Sequence, residues 1–225
     1  MKRFPRKDLI AALASLLLAA PLAAQQQAGD DTPEYVPPPR GAPTGRMSGG
    51  TRSLGVPLTA LAPPHTGLTL SAQPVLYYYT PSAGRPRLVM RPVSDTTAQP
   101  LADLELPSTR AAGIQRLDLA TLGVKLAPAV EYKWTVTLAG ETREASGTIQ
   151  RIEPPADLVR RLQGTSGRAR YALLARESLW YDALDEVSRA TDAAPGNPVP
   201  AKHRAALLEQ IGLTAVARYE RQRYP

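Results

Sequence analysis

Val130-Glu-Tyr-Lys-Trp-Thr-Val-Thr-Leu138 is the stretch that decides the fold class. Val130, Tyr132, Trp134, Val136 and Leu138 fall on one side of an extended chain, and Glu131, Lys133, Thr135 and Thr137 on the other. Alternation sustained over nine residues is the pattern of a strand with one buried face, Trp134 belonging to the core. Ala139-Gly140-Glu141 supplies a turn, and Thr142 to Ile152 runs back as a hairpin partner. Upstream, Leu68–Ser71, Val75–Thr80, Arg87–Val93, Leu101–Leu106 and Ile114–Leu119 are shorter strand candidates. Prolines at 74, 81, 86, 92, 100 and 107 place several of them at edges or strand ends. Seven short strands within residues 57–152 predict an immunoglobulin-like antiparallel β-sandwich, with a small open barrel as the other arrangement.

At Pro154-Pro155 the apolar period changes from two to 3.6 residues, so the fold class is α+β. Asp157–Leu162 reads as a short helix, Arg168–Asp192 as a long one, and Ala201–Ile211 as a second arm beyond the breaker Ala193–Pro200. Ala183, Ala190 and Pro195 have the separations of the small, small and proline positions of a tetratricopeptide repeat. One degraded copy follows it, and a solenoid needs about three. Residues 153–213 are therefore expected to form a helical hairpin leaning on the sandwich, and residues 214–225 a polar, basic, frayed tail.

Before the strands, residues 25–56 carry five prolines, six glycines and almost no apolar side chains, the composition of a disordered tether. Residues 1–24 read as a secretory signal peptide. Lys2, Arg3, Arg6 and Lys7 precede the apolar run Leu9–Ala20, and small residues end at Ala24, the expected cleavage point. That run is shorter than the roughly 20 residues a spanning helix needs, and no later segment is apolar enough to cross a bilayer. The mature protein is thus expected in the periplasm or outside the cell, with no membrane span. The precursor's charge of +7 falls to +4 without the signal, which leaves little case for nucleic acid. With no cysteine in the sequence, apolar burial alone must hold the core.

Several segments together carry a resemblance. They are Arg40-Gly41, Gly49-Gly50-Thr51-Arg52, Leu61-Ala62-Pro63, Pro74 before Tyr77, Gly113-Ile114, Tyr132-Lys133-Trp134 and Leu179-Trp180-Tyr181-Asp182-Ala183-Leu184. Over residues 40–213 the chain resembles an uncharacterised group of exported bacterial proteins, the domain-of-unknown-function family numbered 928. The resemblance implies a cell-envelope location and no particular activity. Family members often carry cysteines that are absent here, so no disulfide expectation transfers.

Reactive constellations are sparse. His65 and His203 lack metal-ligand spacing and read as lone surface histidines, so no metal or cofactor is expected. Ser166 reads as a loop and helix N-cap residue. Asp182, Asp185 and Glu186 share one helical turn, but Asp185 and Arg189 are i, i+4 partners and Glu177 has Arg170 and Arg176 near it, so they read as a salt-bridged face. No G-x-S-x-G elbow or phosphate loop is present. The chain is expected not to be an enzyme. Its candidate interaction residues are Trp180 and Tyr181, as docking anchors or an inter-domain seam; Tyr78, whose strand face is expected to be partly exposed; and Arg40, Arg46 and Arg52, spaced six apart along the tether. The expected function is a protein–protein interaction module of the envelope, with another envelope protein as partner. The alternative is a polysaccharide-binding module that stacks Tyr78 on a sugar ring, or an arginine strip touching an anionic envelope polymer.

Overall fold

Eight strands precede five helices in a computed structural model that describes residues 32–39, 55–95, 97, 99–140 and 144–225. The strands are β1 (Thr59–Ala60), β2 (Gly67–Thr69), β3 (Val75–Thr80), β4 (Pro86–Pro92), β5 (Ala102–Glu105), β6 (Gly113–Asp118), β7 (Glu131–Leu138) and β8 (Glu144–Arg151). The helices are α1 (Ala156–Gln163), α2 (Gly167–Arg176), α3 (Trp180–Ala193), α4 (Pro198–Gln210) and α5 (Thr214–Arg223). The segment expected to be a signal peptide, and Arg40, Arg46 and Arg52 with most of the expected tether, lie outside the described residues.

The strands form two sheets, one of three strands in the order β1-β3-β6 and one of five in the order β2-β8-β7-β4-β5. Every pairing is antiparallel except β2 with β8. The alternation in β7 places Trp134, Val136 and Leu138 in the core, with Trp134 opposite Met90 on one side and Gly147 on the other. Gly147 is glycine because of this close packing: a Cβ there would run into Ala62 and the Trp134 indole.

β3 explains how the layers stack. All six of its residues are buried. The Tyr77 hydroxyl reaches Asp185 of α3, and the Tyr79 ring meets Tyr219 of α5 edge-on at 5.0 Å, so this face is covered by helices. Leu76, Tyr78 and Thr80 turn to the opposite face and are buried in the core shared with the five-stranded sheet. The three-stranded sheet is thus a middle layer. A strand covered on both sides leaves no exposed face, so the expectation that Tyr78 stands partly exposed is corrected: it is 1% exposed, and burial pushes its phenol up to about 12.

Four further expectations change. The single helix expected over 168–192 is two, α2 and α3, broken where Ser178 takes a left-handed φ of 63°. The expected frayed tail is α5, packed through Val216, Ala217 and Glu220. Part of the expected tether is docked: Tyr35 is 7% exposed, and Gln210 clamps the segment by accepting from the Tyr35 N–H at 2.7 Å and donating to the Pro33 carbonyl at 2.8 Å. His203 is buried and bonded to the Tyr171 hydroxyl at 2.6 Å, not on the surface. His65 is half-buried, stacks on Tyr35 and shares a 2.8 Å hydrogen bond with its hydroxyl.

Candidate functional site

Trp180 and Tyr181 begin α3 and are 0% and 1% exposed, which puts both in the seam between helices and strands. The Trp180 indole donates to the Leu61 carbonyl at 2.9 Å, and Tyr35 packs edge-on against its ring. The Tyr181 hydroxyl accepts from the Trp134 indole and donates to the Thr148 carbonyl, both at 2.9 Å. Gly67 leaves room for this ring, since a Cβ there would lie 2.6 Å from its edge. Neither side chain is available to a partner in this arrangement.

Next along α3, Asp182 accepts from the Leu70 N–H at 2.9 Å and the Thr69 hydroxyl at 3.0 Å, pinning the end of β2 to the helix. Desolvation pushes its carboxyl up to about 6, against the opposing pull of those two donors. Asp185 accepts from the Tyr77 hydroxyl at 2.9 Å and pairs with Arg189 at 2.8 Å. A cavity of about 200 Å³ adjoins these groups, lined by Gln73, Arg170 and Glu186 among others. Asp182 and Asp185 are already engaged on both oxygens, and no metal-binding cluster of three or more ligands occurs among the described residues. The acidic turn is a clasp. Ser166 stands at the N-cap of α2, as its sequence context suggests, but its hydroxyl makes no capping bond.

A larger concavity lies elsewhere, where β6, the Leu106–Ala112 connection and the C-terminal helices meet. It is a groove of about 790 Å³, within the range of ligand and peptide sites. All six residues of β6 line it, as do Arg110, Asp192, Arg204, Glu220, Arg223 and Tyr224. β6 pairs with β3 on one side and with no other described strand. The Leu119 N–H bonds the Pro74 carbonyl, which fixes the phase of the ladder: Gly113, Gln115 and Leu117 point their backbone groups at β3. Ile114, Arg116 and Asp118 therefore point theirs away from β3, along the strand's free edge. At the groove's helical wall, Arg204 and Glu220 form a buried 2.7 Å ion pair that leaves Arg204 Nε and Glu220 Oε2 without partners.

Sequence reasoning did not find this groove. Its parts come from three distant regions, and the only local sign was the unusual placement of Arg204 and Glu220 on otherwise apolar helix faces. The candidates chosen from the sequence are not brought together: Trp180 and Tyr181 sit in the seam, and Tyr78 lies beneath the groove.

The family described as Domain of Unknown Function (DUF928) matches residues 42–220, most of the chain. The protein belongs to the DUF928 family. The match spans both sheets and nearly all of the helical region, and the groove's lining from Tyr77 to Glu220 falls within it. No curated protein matches the chain. DUF928 membership carries no assigned activity, so function must be argued from the groove and the sequence.

Proposed function

We propose that this is a non-catalytic, exported cell-envelope protein that acts as a protein–protein interaction module. The observation that carries the reading is the groove of about 790 Å³ running beside an unpaired strand edge, a form that suits a polypeptide partner. The signal-like residues 1–24 support export, and no helix among the described residues is long and apolar enough to cross a membrane. With Trp180 and Tyr181 buried, we place the contact surface at the groove instead of the helix pair.

We read the scaffold as an immunoglobulin-like sandwich carrying a tetratricopeptide-like helical array. The starts of α3 and α5, Trp180 and Thr214, are 34 positions apart, the period of that repeat. The polysaccharide alternative loses the platform it relied on, since a buried Tyr78 presents no face to a sugar.

The test is a photo-crosslinking amino acid placed in living cells at Arg110, in the groove, and at exposed Val159 on α1 as a control. The proposal expects one discrete envelope-protein adduct from position 110 and none from position 159. Identical adduct patterns from both positions, or none from either, would sink it.

A further inference from the structure

We infer that β6 takes up an extended, net acidic segment of another protein as an added strand; this rests on the interaction reading above and deepens it. The two sheets have four edge strands, β1, β6, β2 and β5. An edge strand exposes unpaired N–H and C=O groups, and proteins blunt edges by keeping them short. β1, β2 and β5 have two, three and four residues. β6 has six, and it runs along the groove.

Its outward groups suit a ladder. The N–H and C=O of Ile114 and Arg116 point away from β3, and the Asp118 N–H continues the row at the same two-residue spacing. The Asp118 carbonyl is already taken by the Leu122 N–H and the Thr121 hydroxyl, which ends the row there. An incoming strand would therefore be read through Ile114, Arg116 and the Asp118 amide.

Charge chooses among partners. Arg116 is paired with Asp118, and Arg204 with Glu220. Arg110 and Arg223 line the groove without an ion pair among the described residues, against Asp192 as the single unpaired carboxylate. The open positions thus favour an acidic segment. Arg204 Nε and Glu220 Oε2, both on side chains at least nine-tenths buried, stay without hydrogen-bond partners in the residues that line the groove wall. A second copy of this chain fits less well, because it would bring two sets of the same arginines together.

The test selects random linear peptides on the immobilised full chain, then remakes a recovered peptide synthetically. Proline at position 116 deletes an outward N–H without removing a bond to β3. The inference expects selected peptides enriched in Asp and Glu, with affinity about tenfold or more weaker in Arg116→Pro than in Arg116→Gln, which loses the same charge but keeps the N–H. N-methylation of alternate peptide amides should abolish binding in one phase and spare it in the other, a readout that needs no variant to fold. Peptides that bind Arg116→Pro normally, tolerate both methylation phases or carry no acidic bias would overturn the inference. So would recovery of no peptide, or a proline-sensitive homodimer. Those failures leave the interaction reading to be judged by the crosslinking at position 110.

Discussion

Replacing Tyr181 by phenylalanine removes a single oxygen from the seam, and the structure sets the cost. That oxygen accepts from the Trp134 indole and donates to the Thr148 carbonyl. The indole N–H is donor-only, and Trp134 is 0% exposed, so in the variant it is stranded. One stranded buried donor costs about 1–3 kcal/mol, and the carbonyl, with a second lone pair to use, adds less. The expected loss is about 2–3 kcal/mol, or a fall in Tm of roughly 5–10 °C for a chain of this size. Urea unfolding followed by tryptophan fluorescence measures it well, because Trp134 and Trp180 are both buried where strands meet helices. Tyr219→Phe, which removes an exposed hydroxyl 3.4 Å from the Ala112 carbonyl, is the matched control and should move the midpoint by less than about 0.5 kcal/mol. A Tyr181→Phe loss as small as the control's would refute the bridge as a stabilising element. So would a fluorescence transition split into two steps.

Three other outcomes are expected. Asp182 titrates near 6 when folded, above its unfolded value, so the folded state binds the proton more readily; its contribution should raise stability as pH falls from about 7 to about 4, by up to about 3 kcal/mol, and Asp182→Asn should flatten that part of a urea-midpoint profile. Gly67→Ala puts a methyl 2.6 Å from the Tyr181 ring and should cost about 1–3 kcal/mol in thermal unfolding, whereas Gly196→Ala, with open space around it, should not. Arg204→Met leaves the Glu220 carboxylate buried and unpaired, for a loss of about 3–5 kcal/mol by urea titration, while Arg221→Met on the exposed Glu209 pair should leave the midpoint unchanged.

Strands were legible wherever one face meets water. β7 declared itself by alternation, and β4, β5 and β6 fell within two residues of their expected ends because prolines and glycines bound them. β3 was located correctly but misread in environment: three consecutive tyrosines give no alternation to say that both faces are covered. The α2–α3 break escaped notice because Glu177-Ser178-Leu179 contains neither glycine nor proline, and Ser178 alone absorbs the turn. α5 was hidden by its arginines and its one glutamate, Glu220, which is buried by pairing with a residue sixteen positions away. Tyr35 docks as a lone aromatic in a proline-rich run, where composition averages over the one residue that matters. The groove was not legible at all, since an unpaired edge is a property of topology and no window of sequence contains it.

The middle-layer position of β3 has a consequence for how the chain is made. A polypeptide delivered N-terminus first presents Val75–Thr80 long before α3 and α5 arrive to roof them. Until the last helix has emerged, a tyrosine-rich strand waits with one side bare, and the body cannot be completed in instalments. The boundary at Pro154-Pro155 is therefore no place to cut: the first half released alone would be a sticky half-product, and swapping the second half for a relative's would require rewriting Tyr77, Tyr79 and Gly67 along with it.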